Sequence, residues 1–391
     1  MNIPEGYKKE RNRIIPLDWN FAKIDSILEK VGTRVDVKKQ EQYRQIGIRS
    51  HGKGLFYKEP VTGEELGNKS VFWIEKNCFI ANIVFAWEQA IGRTTGNEVG
   101  MICSHRFPMY RAIDNKIDID YLVYLFKTPY GKKVLELASP GGAGRNKTLS
   151  QKEFMNSEIL IPNSIDEQNK IIEILSTWDL AIEKQEQLIE KKKEFKKGLM
   201  QKILSGKVRY GEFEEKWEIK PFDECLKVVS SKIKSIQNKM YQDSGKYPII
   251  DQGKKLIAGF SDDYDKVVQN DGIIIFGDHT RVIKYYNSDF IQGADGTQLF
   301  KSIDDERYST KYFYYSLLNK KIPNTGYNRH LKFVKEFTFA VPSLNRQNKI
   351  VEVLSTIDKE IELLEKELEA LKLQKKGLMQ RLLTGEVRVK V

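Results

Sequence analysis

Two stretches of this chain can be laid over one another without a gap. Gln168 to Arg209 reads QNKIIEILSTWDLAIEKQEQLIEKKKEFKKGLMQKILSGKVR, Gln347 to Arg388 reads QNKIVEVLSTIDKEIELLEKELEALKLQKKGLMQRLLTGEVR, and 24 of 42 positions are identical. The chain is a tandem duplication. In the second copy Ile350, Leu354, Ile357, Ile361, Leu364, Leu368, Leu371, Leu378 and Leu382 recur at alternating spacings of four and three, broken only by Lys375, which is a heptad seam. The first copy keeps Ile171, Leu175, Trp178, Ile182, Ile189, Leu199 and Ile203 in the same frame but sets Gln185, Lys192 and Lys196 on the seam. A helix of about 40 residues is ~55–60 Å long. Two such helices in one chain are expected to partner each other, their polar seam residues weakening the contact while fixing its register.

The duplication begins before the helices. Trp19 is followed six residues later by Asp25, and Trp217 six residues later by Asp223. Between these starts and the helices lie two segments much less alike than the helices, each carrying short β-type runs. The runs are Ser70 to Ile74, Cys78 to Phe85 and Gly100 to Cys103 in the first, and Tyr247 to Ile250, Gly272 to Phe276 and Phe290 to Ile291 in the second. Each then offers a short apolar helix, Ile119 to Phe126 or Thr310 to Leu318, and a shared G-x-N-[K/R]-x-L signature at Gly144–Leu149 or Gly326–Leu331. Ile161-Pro162 and Val341-Pro342 close a last strand before the helices. The expected fold class is α/β plus coiled coil. Domain 1 should cover residues 1–162, a central helical spacer 163–212, domain 2 residues 213–342 and a C-terminal helical spacer 343–391.

With 65 Lys and Arg against 54 Asp and Glu, the formal charge is +11, which favours a polyanionic partner. Cys78, Cys103 and Cys225 lie too far apart in sequence for a zinc motif or disulfide frame, so a reducing compartment is expected. No apolar run approaches the roughly 18 residues of a membrane span. The expectation is a cytoplasmic protein with no membrane partner.

The order of two dissimilar domains, each followed by a repeated long helix that starts after a proline and closes with G-L-M-Q-x-[I/L]-L-[S/T]-G, closely resembles the specificity subunit of type I restriction-modification enzymes. The resemblance runs from Ile15 to Arg388. It implies two α/β target recognition domains that each read half of a split double-stranded DNA sequence. It also implies two helices packed antiparallel with pseudo-twofold symmetry as a spacer between them. The implied partners are two modification (methyltransferase) subunits, which methylate DNA at adenine with S-adenosylmethionine, and restriction (translocase/endonuclease) subunits that use ATP and magnesium. This chain would be a non-catalytic subunit holding no cofactor of its own. A coiled-coil scaffold holding two protein partners at a fixed distance is the alternative.

DNA binding needs cations for phosphates and planar or amide groups for base edges. The candidates in domain 1 are Arg145, Asn146 and Lys147 in the Gly-rich loop, with Arg93 as a second position. In domain 2 they are Tyr327, Asn328, Arg329 and His330, with Arg281 in the His279-Thr280-Arg281 loop. The basic run Glu190 to Arg209 reads as a solvated helix face, or as a contact with DNA or a partner. Catalytic motifs are missing. Gly47 to Lys53 has P-loop spacing, but Gly54 stands where Ser or Thr should hold magnesium. The four histidines lack ligand spacing, and neither G-x-S-x-G nor the N-P-P-[FY] motif of an adenine methyltransferase occurs.

Overall fold

Buried aromatic side chains gather at two separate places in the chain. Phe79, Tyr110, Phe126 and Phe154 form one cluster, with Phe79 5.3 Å from Phe126 and Tyr110 5.3 Å from Phe154 between ring centroids. Phe222, Phe276 and Phe300 form another, extended through Phe339 to Phe313 and Tyr312. Around these two cores the computed structural model divides into two compact units. Unit 1 joins residues 1–184 to residues 368–391, and unit 2 is residues 185–367. The structure describes residues 3–114, 116–141, 147–205, 217–229, 235–294, 296–326 and 328–390.

In unit 1 the central sheet is antiparallel, in the order Ile91–Arg93, Cys78–Ala81, Met109–Ala112, Leu28–Val31. Every residue of Cys78–Ala81 is buried, as an inner strand with a covered face on each side requires. The sequence suggested a longer run to Phe85. The strand stops at Ala81 because the Asn82 side chain accepts a hydrogen bond from the Val84 amide and starts a turn. Trp19–Lys23 pairs with Glu158–Pro162, so the segment entering the domain is zipped to the segment leaving it. The N-terminal leader, polar in sequence, is a hairpin of Tyr7–Glu10 and Arg13–Pro16. Arg11 and Asn12 turn it with φ of 48° and 62°, the left-handed pair that a two-residue hairpin favours. The stretch with P-loop spacing is also a hairpin, Ile46–Ile48 against Leu55–Tyr57.

Unit 2 repeats the central sheet in the same order, Ile283–Tyr286, Ile273–Gly277, Thr297–Ser302, Leu226–Val228. Glu218–Pro221 pairs with Thr338–Val341 in the role of Trp19–Lys23 with Glu158–Pro162. It adds a second four-stranded sheet, Gly259–Ser261, Tyr247–Ile250, Phe290–Gln292 and Val267–Val268, in which Tyr247–Ile250 and Phe290–Gln292 run parallel. Among the described residues unit 1 has only two-stranded pieces beyond its central sheet and its entry–exit pair. The repeats therefore share a frame and differ in what is built on it.

The long helices are Ile165–Ile203 and Leu344–Leu383. Ser164 begins the first, its side chain accepting from the Glu167 amide at 3.3 Å and its carbonyl from Gln168 at 3.2 Å. In unit 1 Ile171 and Leu175 share the domain core with Leu382 and Leu383. In unit 2 Met200, Ile203 and Leu204 share theirs with Ile350 and Leu354. Between these apolar ends the polar seam residues find partners. Within unit 2, Lys196 pairs with Asp358, Lys192 with Glu360 at 2.6 Å, and Gln185 with Glu367 at 3.0 Å and the Leu364 carbonyl at 3.2 Å. Lys193 reaches Glu365 at 2.9 Å. Three lysines of the basic run, Lys192, Lys193 and Lys196, are thus matched by carboxylates of the other helix.

Candidate nucleic-acid interface and the seating of the helices

A strand inside each central sheet, Cys78–Ala81 or Ile273–Gly277, is followed by a polar residue, Asn82 or Asp278, and the loop there meets the segment bearing the G-x-N signature. In unit 2 Asp278 is buried and does most of the joining. Its Oδ1 accepts the amides of His330 and Leu331, each at 2.7 Å, and its carbonyl lies 2.8 Å from His330 Nδ1. Thr325 Oγ1 closes the other side of the ring, 3.3 Å from Nε2. His330 has no exposed surface. This candidate for DNA contact is therefore buried, its imidazole hydrogen-bonded on both ring nitrogens and joining two loops.

Arg281 lies three residues after Asp278 and Arg329 directly before His330, so both flank that junction along the chain. Arg281 is half-buried, and its φ of +63° is a left-handed backbone held by a 2.7 Å hydrogen bond from its amide to the Gly277 carbonyl. Arg329 and Asn328 are exposed, and Asn328 Nδ2 donates to the Thr325 carbonyl, tightening the turn. Tyr327 lies outside the described residues.

The corresponding loop in unit 1 is 82–90. The Leu149 amide donates to the Ile83 carbonyl at 2.8 Å, and the Lys147 ammonium lies 5.1 Å from the centre of the Trp87 ring. Arg145 and Asn146 lie outside the described residues. Arg93 falls elsewhere, at the end of an edge strand, ion-paired with Asp120 of helix Ile119–Lys127. Burial raises the Asp120 carboxyl and the Arg93 charge opposes that rise; the half-buried Arg93 guanidinium is taken up by this pair within the domain. Sequence reasoning offered Arg93 as a second candidate of domain 1 and did not name Trp87. The available signal was Asn82, which follows its strand as Asp278 does.

A second set of functional side chains seats the domains on the helices, and the sequence concealed it within the repeat. Gln168 and Gln347 are fully buried. Gln168 Oε1 accepts the Asp118 amide at 2.8 Å while Nε2 donates to the carbonyls of Pro162 at 3.1 Å and Lys116 at 3.3 Å. Gln347 does the same, from the Ser309 amide at 2.9 Å to the Pro342 carbonyl at 2.8 Å and the Arg307 carbonyl at 3.1 Å. Each amide ties three backbone groups of its domain to the start of its helix. Unit 1 carries one further clasp. The buried Glu167 carboxylate accepts Trp19 Nε1 at 3.2 Å and takes Arg388 at 2.7 and 3.0 Å, and Arg388 also reaches Asp18 at 2.7 Å. These carboxylates hold the Arg388 guanidinium well above its ordinary range. At the position of Glu167, the second repeat has Arg346.

Two similar α/β frames, each seated through a buried glutamine on a long helix, define a tandem-duplicated, two-domain chain. The family model described as the type I restriction modification DNA specificity domain matches residues 16–191 and 214–373, and the chain belongs to that family as a specificity subunit. A protein of Methanocaldococcus jannaschii with the provisional name MjaX type I restriction enzyme specificity subunit is 25% identical over 99% of this chain and 97% of its own length. The MjaVIII type I restriction enzyme specificity subunit of the same organism is 24% identical with the same coverage. Among solved structures, the type I restriction-modification S subunit from M. genitalium covers 96% of this chain and 97% of that one, with a TM-score of 0.59 and 18% identity. The HsdS subunit from Thermoanaerobacter tengcongensis covers 97% and 100%, with a TM-score of 0.54 and 15% identity. These structural likenesses concern the fold. No described helix is long and apolar enough to cross a membrane.

Proposed function

We propose that this chain reads a bipartite double-stranded DNA sequence for a type I restriction-modification complex. One recognition domain addresses each half-site, the first within residues 1–162 and the second within 213–342. The long helices, packed antiparallel with pseudo-twofold symmetry, set the unread gap. The observation that carries this reading is where the repeats agree and where they differ. The buried glutamines and the central sheets recur in both, whereas the loops at the sheet ends hold Trp87 and Lys147 in one domain and Arg281 and Arg329 in the other. A shared frame with different loops suits two readers of different half-sites. Antiparallel packing is supported by the order of contacts in unit 2, where partners run from Asp358 to Glu367 as the other helix runs back from Lys196 to Gln185.

Catalysis belongs to the partners in this reading. Two modification subunits supply adenine methylation with S-adenosylmethionine, and restriction subunits supply ATP- and magnesium-dependent translocation and cleavage. The test is to map methylated adenines in a host carrying this chain with its partner subunits. The expected result is one motif of two short half-sites separated by a fixed gap, lost when the chain is deleted. A continuous motif, or methylation unchanged by deletion, would overturn the reading.

A further inference from the structure

The seam lysine that interrupts each repeat belongs to a three-residue contact that occurs twice. In unit 1, Asp179 of the central helix accepts the Tyr124 hydroxyl at 2.6 Å through Oδ2, and its Oδ1 is ion-paired with Lys375 of the C-terminal helix. The Lys375 ammonium stands 5.3 Å from the centre of the Tyr124 ring. In unit 2 the helices exchange parts. Asp358 of the C-terminal helix accepts the Tyr315 hydroxyl at 2.8 Å and pairs with Lys196 of the central helix, whose ammonium is 5.4 Å from the Tyr315 ring. Lys196 and Lys375 occupy matching repeat positions, as do Asp179 and Asp358. Their lysine side chains are only 17% and 13% exposed.

An apolar heptad seam repeats along its length, so sliding one helix by seven residues leaves its leucines and isoleucines in phase. Such a slip is ~10.5 Å, or about three base pairs at ~3.4 Å each. A largely buried ammonium does not tolerate it. The slip strips the lysine from its carboxylate and its ring, leaving a charge in a poorly solvated place. The tyrosine then couples this register to the recognition domain, because Tyr124 and Tyr315 lie on the short helices Ile119–Lys127 and Thr310–Leu318 inside each domain.

We propose that Tyr124–Asp179–Lys375 and Tyr315–Asp358–Lys196 are a matched pair of register locks, positioning residues that set how many base pairs separate the half-sites. The inference rests on the bipartite reading above. Its test uses the whole chain assembled with its methyltransferase subunits, on duplexes that keep both half-sites and vary the gap by one to three base pairs around the natural value.

The informative variant is the double substitution Lys196→Met and Lys375→Met, which puts an apolar side chain on the seam while Asp358 and Asp179, 37% and 49% exposed, keep access to water and so tolerate losing their cation. Its preference for the natural gap is expected to fall by roughly tenfold, with the thermal midpoint unchanged or raised. Lys→Arg at both positions restores the preference. A side chain that merely supported the fold would give the reverse, a lowered midpoint with gap preference intact, and that result overturns the proposal. Should the methionine variant not fold, Tyr124→Phe with Tyr315→Phe removes only the hydroxyl-to-carboxylate link and must relax the gap in the same direction; unchanged preference there also overturns it. A wild-type complex indifferent to the gap would instead refute the bipartite reading itself.

Discussion

Replacing Gln168 by alanine should loosen unit 1 and leave unit 2 alone. The amide is fully buried and serves three backbone groups, the Asp118 N–H and the carbonyls of Pro162 and Lys116. Each buried group left unpaired costs about 1–3 kcal/mol. The N–H suffers most, because each carbonyl has a second lone pair and can take bonds elsewhere. Adding the side-chain volume lost, the expected destabilisation is about 3 kcal/mol, or roughly 150-fold in the opening equilibrium. Hydrogen exchange read at single amides is the direct assay. The Asp118 amide should exchange far faster in Gln168→Ala, while the Ser309 amide, held by Gln347, should not change. Gln347→Ala should invert the pattern. Acceleration at Asp118 of less than about tenfold, or equal loosening of both units by either substitution, would refute the view that each glutamine seats its own domain.

Further predictions concern the chain ends, the thiols and the spacer. Arg388→Gln leaves the buried Glu167 carboxylate without its cation and should cost unit 1 about 2 kcal/mol, the partial exposure of Arg388 moderating the loss; chemical denaturation measures it. Burial raises the thiols of Cys78 and Cys225 to about 11 and that of Cys103 to about 12, so at pH 8 thiolate is on the order of one part in a thousand or less. Iodoacetamide at pH 8 should therefore leave the native chain unlabelled by intact mass and modify all three cysteines in urea. Because the folded thiols keep their protons above the ordinary value of about 8.5, they favour the native state below that pH, and the advantage declines as pH rises toward 11. Inserting four residues near Glu186 lengthens one helix by ~6 Å, and methylome mapping should find the gap longer by roughly one to two base pairs with both half-sites retained.

The long helices were legible because a heptad pattern sustained over about 40 residues has few other solutions. The short strand Tyr247–Ile250 and the helix Thr310–Leu318 were equally readable, since each is an apolar run bounded by polar or turn residues. The hairpin at Arg11 and Asn12 was hidden because its strands are largely polar and only the turn geometry defines it. The candidate interface was harder. His330 looked like a surface residue because the signature around it is polar, and only the fold reveals that Asp278, 52 residues away in sequence, encloses it. Arg93 stood in a Gly-rich stretch typical of a loop, yet the sheet needed that segment as an edge strand and Asp120 took its charge. Gln168 and Gln347 were visible only as identical letters in a repeat, and nothing in a charged helix start distinguishes a buried amide from a solvated one.

The division into units bears on how the protein is made. Unit 2 is a single uninterrupted stretch, residues 185–367, whereas unit 1 needs residues 368–391 as well as residues 1–184. Domains generally fold in the order in which they leave the ribosome. Here the part begun first is the part finished last. Leu382, Leu383 and Arg388 must be synthesised before the core around Trp19 and Ile171 can close, and until then the first recognition domain waits with that surface open. A chain synthesised only as far as Glu367 would hold all of the second unit and an unfinished first one.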